Sequence, residues 1–269
     1  QGEGPPQVAL RAGPWSREGG QHTGGMAAAW VSALERTPVS ELLRVHQEAI
    51  GRLRSELASE LQAAGPAADE VWLLRYVLSF NGRTDAAADA ARKALDWRRS
   101  HAGLIEAARS STAPPGLTRD ELRAIDCFCI SGFHGTTAFG DPLFVIRAGA
   151  SNVSALMDAV SEDSMALFMS YLSECAWQRC EALTRARGYF VKQITFQDLA
   201  GTALNRDSRF FRVLGRSSKT NEWLRPQLLG RMIIFNTPSW MSLAFRIAST
   251  FMSRKTLSKI WVHGSRTEH

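Results

Sequence analysis

From about residue 117 onward the chain alternates short apolar runs with helical stretches, and this alternation restricts the fold more than any other feature. The runs are DCFCI (126–130), PLFVIR (142–147), YFVKQITFQD (189–198), RMIIFN (231–236) and KIWVH (259–263). Each reads as a strand. SGFHGTTAFGD, with its glycines, reads as the hairpin loop joining the first two. A long helix is expected from Val153 to Arg187, a basic helix from Asn205 to Asn221, and a short one at SRKTLSK. Strands interleaved with helices predict an α/β lobe whose mainly parallel sheet is covered by helices.

The preceding part is different. Between Ser40 and Ala64 apolar residues recur at Leu42, Leu43, Ile50, Leu53, Leu57 and Leu61, a helical period that Gly65-Pro66 ends. A second helix is expected at 69–80, with Val71, Leu74, Val77 and Leu78 inward, and a third from Thr84, its cap, through the alanine-rich stretch to Ser100. STAPPG, from Ser111 to Gly116, is a linker. The expected organisation is a disordered, Gly/Pro-rich segment at 1–38, a helical subdomain at 39–110 and the α/β lobe at 117–266. The sequence opens on Gln1, and Met26 is a candidate start. No charged and apolar pair of regions marks a secretory signal, and no apolar run reaches the ~20 residues that span a bilayer.

Charge is distributed unevenly. From Arg206 to Arg266 there are twelve basic and two acidic residues, a balance of +10, which leaves −4 elsewhere in a chain of net +6. An anionic surface is the partner this implies. Nucleic acid is disfavoured because no nucleic-acid motif accompanies the charge. Cys127 and Cys129, like Cys175 and Cys180, lack zinc-finger spacing and read as small hydrophobes in a reducing, cytoplasmic setting. No nucleophile elbow, P-loop or HExxH is present, and the loop His134 has no catalytic partner in view. The expectation is a protein without catalytic residues, metal or cofactor.

Asn236-Thr237-Pro238 closes a strand, since Pro238 cannot donate to a ladder. SWMSLAFRIASTFM (239–252) then carries apolar residues nearly all round and one charge, Arg246. Such a helix is either core or lipid-facing. The basic helix before it, with Arg206 and Arg209, suits an anionic membrane surface or a solvated face.

These segments, in order, resemble the CRAL-TRIO family. LLRYVLSFNGRTDAAADAARKALDWRRSH resembles the family's N-terminal helical segment, GDPLFVIRAG its hairpin and first sheet strand, and FVKQITFQDLAG its strand ending in Asp-Leu-x-Gly. LLGRMIIFNTPSW through SRKTLSKIWVHG resembles its Gly-Lys/Arg strand, Asn-x-Pro, mobile helix, Lys-Thr and terminal strand. The resemblance implies a helical layer, then a CRAL-TRIO-like lobe with an apolar pocket. One hydrophobic ligand, a phospholipid or similar molecule, would be held there and exchanged or presented at membranes. The alternative is a protein-interaction or membrane-tethering module on the same fold. Residues 239–252 would be a gate. Met241, Phe245 and Phe251 would close the pocket, Phe144, Ile146, Ile194 and Phe196 would form its floor, and Arg246 would meet a phosphate. Arg206, Arg209, Trp240 and Lys255 would touch an anionic membrane. The protein would then be cytoplasmic and peripheral at membranes. Phosphatidylinositol is one candidate ligand, but Leu243, Phe80-Asn81 and Arg216 stand where the family's phosphatidylinositol-exchanging members carry a hydroxyl, a basic pair and an acid.

Overall fold

The structure, a computed structural model, describes residues 36–65, 68–202, 207–238, 246 and 254–264. The expectations for the segment at 1–38 fall almost wholly outside them, as do Arg206, Trp240, Met241, Phe245 and Phe251.

The first periodic stretch is three helices, α1 (Val39–Val45), α2 (Gln47–Glu56) and α3 (Ala58–Ala64), and not one. The breaks at His46 and Leu57 turn the chain so that Leu57 is fully buried beside Leu53. Helix α4 (Glu70–Ser79) starts at Asp69, whose carboxylate accepts from the Trp72 amide at 3.0 Å. Six consecutive residues of α4, Trp72 to Val77, are buried, so this is a core helix. In α5 (Thr84–Ser100) Thr84 is the first helical residue and Arg83 holds the cap position. A face of five buried alanines lets α5 lie close to its neighbours. Helix α6 (Ala102–Ser110) completes this layer.

DCFCI is not a strand. Helix α7 (Arg119–Phe128) takes its first three residues, nucleated by a capping box in which Thr118 and Glu121 satisfy each other's backbone amides. The expected loop is itself strand β1 (Ser131–Thr136), antiparallel to β2 (Pro142–Arg147). The long helix is interrupted before Ser161, which caps α9 (Glu162–Arg187) and separates it from α8 (Val153–Ala159). β3 (Gln193–Asp198), α10 (Ser208–Leu224), β4 (Leu229–Thr237), α11 (Arg254–Leu257) and β5 (Ile260–Gly264) follow. The five described strands lie in sequence order, and β2 to β5 run parallel. Parallel pairing requires long crossovers, which α8–α9 and α10 provide for the first two pairs.

The hydrophobic interior ignores the expected boundary near residue 110. One cluster joins Leu53, Leu73, Leu74 and the alanines of α5 to Ala176, Trp177 and Cys180 of α9 and to Leu224 and Leu228. A second joins Leu104 and Ala108 of α6 to Ile125, Leu156, Met165, Phe168 and Val213. The helical layer and the α/β lobe therefore share both cores.

Candidate functional site

Sheet register decides which apolar side chains can meet one ligand. Phe144 pairs with Thr195, and Val145 with Phe196. Partners across a parallel pair point the same way, and neighbours along a strand point oppositely. Phe144 and Ile146 thus share a face with Thr195 and Ile234. Ile194 and Phe196 share the other with Val145, Ile233 and Phe235. Phe196 and Phe235 touch edge to face at 6.4 Å, as their common side requires. The four residues expected to form one floor are divided between two faces, because strand pairing is offset by one residue from the arrangement that would unite them. The Phe144 face turns toward the helical core: Phe144 contacts Phe133, which packs on the first cluster.

At the carboxyl ends of β3 and β4 the Asp-Leu-Ala-Gly and Asn-Thr-Pro motifs meet. Asp198 accepts from the Ala200 amide and from Asn236 Nδ2, both at 2.9 Å. Asn236 has φ +54°, a left-handed conformation that Asn tolerates better than most residues. Gly149 lies beneath this turn, where a Cβ would come within 1.6 Å of the Ala200 carbonyl oxygen, so only glycine fits. Beyond Pro238 the one described residue of the expected gate is Arg246, which is exposed.

A cationic group that sequence reasoning did not single out lies at the opposite, amino-terminal ends of the strands. Lys259 Nζ donates to the Leu229 carbonyl at 2.7 Å, and Lys255 Nζ to that of Leu78 at 2.7 Å. Burial, together with Lys192 and Lys255 nearby, pushes Lys259 down to about 8. Partial desolvation of the otherwise exposed Lys255 lowers it as well. Gln227 Nε2 reaches Ser79 Oγ at 2.9 Å, and Thr256 Oγ1 lies 3.4 Å from Glu222. Lysines far apart in sequence carry no joint signal until the strands bring them together. Lys255, expected at a membrane, is engaged with the C-terminal carbonyls of α4.

The family-like motifs of the helical layer are anchors. Arg75, the arginine of Leu-Leu-Arg, is fully buried, pairs with Glu181 and lies over the Trp177 and Phe190 rings. Arg98 of the Trp-Arg pair meets Glu174 at 2.8 Å, and Arg225 meets the same carboxylate at 3.0 Å. Burial alone would raise Glu174, but the two arginines outweigh it and hold the carboxyl below its ordinary range.

The basic helix is also paired within the chain. Arg209 binds Asp207 and Asp158, Arg212 binds Glu162, and Arg216 binds Asp163. The cationic end of the sequence folds against acids of α8 and α9, so the uneven charge along the chain is partly cancelled in space. No described helix is long and apolar enough to cross a membrane.

A CRAL/TRIO domain profile matches residues 129–269. The chain belongs to the CRAL/TRIO family. Among curated relatives, the SEC14 cytosolic factor of Candida glabrata is 26% identical over 220 residues, covering 78% of this chain and 68% of that protein. Protein real-time of Anopheles gambiae is 24% identical over 201 residues, covering 74% of this chain and 28% of that protein. The chain therefore spans about a quarter of the insect relative's length. The solved structure of Sfh5 superposes with a TM-score of 0.58 at 15% identity, covering 83% of this chain and 79% of that one, which shows the shared fold. The CRAL/TRIO match begins at Cys129, just before β1, and takes in the whole sheet.

Proposed function

We propose that the protein holds one hydrophobic ligand, a phospholipid or similar molecule, in the CRAL/TRIO lobe and exchanges it at membranes, without catalysing a reaction. The observation that carries this reading is the family match across all five described strands. A two-chain lipid has roughly 30 methylenes, each worth ~0.8 kcal/mol on leaving water. Exchange is feasible because bilayer and pocket are both apolar and the tails need only be kept from water. The apolar segment 239–252 suits that role. Met241, Phe245 and Phe251 would face the ligand and Trp240 the bilayer, with Arg206 and Arg209 beside an anionic surface. In this reading the protein works in the cytoplasm and meets membranes peripherally.

The lysine group supports an anionic headgroup. Lys259 is partly buried, and Lys192 and Lys255 lie near enough to depress its basicity, so an anion there would relieve their mutual repulsion. Arg246 is the second candidate for a phosphate contact. Native mass spectrometry of the purified protein tests the reading. A stoichiometric lipid adduct is expected, lost on mixing with acceptor vesicles. Protein that arrives empty and takes up no phospholipid from vesicles would overturn it in favour of a tethering module.

A further inference from the structure

We propose that the cleft between the C-terminal end of α5 and the facing turns of α9 and α10 binds a small planar anion, an aromatic or heteroaromatic ring carrying a carboxylate or phosphate. This cleft has a volume of about 300 Å³, at the lower end of small-molecule sites, and its lining comes from three helices and the turn residue His101. Sheet residues take no part in its lining, so the inference stands apart from the lipid reading.

Three observations favour that ligand. The first is a ring platform held in place before any ligand arrives. Trp97 is stacked on His101 with centroids 4.2 Å apart and planes 10° apart, and the Arg225 guanidinium lies 5.1 Å from the Trp97 ring centroid. His101 Nδ1 lies 2.9 Å from both the Trp97 carbonyl oxygen and Ser100 Oγ, two contacts that restrain the ring. Both rings line the cleft. The second is charge. Arg225, whose guanidinium faces the Trp97 ring, donates to the carbonyl of the lining residue Ser170 and shares the Glu174 carboxylate with Arg98, so two cations meet one anion there, while Arg216 and Asp163 on the rim cancel. The third is a polar wall opposite the rings, where Ser217 and Thr220 of α10 offer hydroxyls to a carboxylate or phosphate. An aliphatic ligand would waste the rings, and an uncharged one the guanidinium beside them.

Calorimetric titration of the full chain with AMP and with indole-3-acetate tests this, with uncharged adenosine and non-planar cyclohexanecarboxylate as comparisons. At least one planar anion is expected to bind tenfold or more tightly than either comparison. AMP and indole-3-acetate together show whether phosphate or carboxylate is preferred. His101→Ala removes the platform and is expected to weaken binding at least tenfold. Should that variant melt early, Ser217→Phe carries the test, because Ser217 is only half-buried on the cleft wall and a phenyl ring there fills the space. Binding of both anions no tighter than of adenosine, or unchanged binding in Ser217→Phe, would overturn the proposal. Bound lipid, read by native mass spectrometry on the same variants, is expected to stay unchanged, which separates this failure from failure of the lipid reading.

Discussion

Glu174 is the residue on which the junction of layer and lobe depends. It is fully buried between Arg98 and Arg225, and Gln178 donates to it at 3.1 Å. Glu174→Gln leaves two guanidiniums, one of them buried, without a counter-charge, and such losses cost about 3–5 kcal/mol. Urea denaturation is expected to show a loss in that range, and a loss under ~1 kcal/mol would contradict the structural role given to the pair. Because the folded carboxyl lies below its ordinary 4.5, its contribution is present above that pH and fades as pH falls below it. Lys259 has the opposite character. With a folded value of about 8 against an ordinary 10.5, native protein sheds this proton before unfolded protein does. Stability attributable to Lys259 therefore rises between those two pH values. The stability difference between parent and Lys259→Met should shift toward the parent across that window, and a flat difference would refute the burial assigned to the amine.

Elements set what the residues can reach. Because β2 and β3 pair with Phe144 opposite Thr195 and Val145 opposite Phe196, a single ligand held against the sheet would meet one face of it. A phospholipid with a photoreactive tail should label either Phe144 and Ile146 or Phe196 and its neighbour Phe235, as read by mass spectrometry. Equal labelling of both pairs would contradict a single pocket on one face. Helix α10 supplies a second test. Its arginines are held by Asp158, Glu162 and Asp163. If α10 faces the bilayer, Asp158→Asn with Glu162→Gln and Asp163→Asn should strengthen binding to anionic vesicles at low salt. Each cation close to such a surface is worth ~1 kcal/mol, so an increase of tenfold or more in partitioning is expected. Unchanged partitioning would place the membrane-facing surface elsewhere.

At the scale of the whole molecule the helical layer is part of the lobe. Arg75 and Arg98 reach from the layer to acids on α9, and each hydrophobic cluster draws on both sides of residue 110. A fragment of residues 117–264 would expose the Trp177, Cys180 and Leu224 side of the first cluster and leave Glu174 without Arg98. It should fail to give a cooperative thermal transition, while residues 36–264 should melt as one unit. A folded, cooperative 117–264 fragment would show that the layer is an appendage. The shared core also gives the family-like Leu-Leu-Arg and Trp-Arg motifs a physical reason: they fasten two layers that neither sequence half could hold together alone.

Much of the architecture is legible in the sequence. Helix α4 lies within one residue of the expected span, β2 occupies the expected PLFVIR, and the motifs from Leu73 to Gly264 carry the family. Helical and extended periodicity are local properties, written in residues a few positions apart. DCFCI misleads because five apolar-rich residues cannot distinguish a strand from a helix end, although the capping pair Thr118 and Glu121 is there to be read. Other features belong to tertiary structure alone. Which sheet face carries Phe144 and which Phe196, which acids neutralise α10, and how Lys192, Lys255 and Lys259 come together all depend on pairings between distant residues. A shift of one residue in strand register exchanges the two faces of a sheet, and no local pattern in this chain records that register.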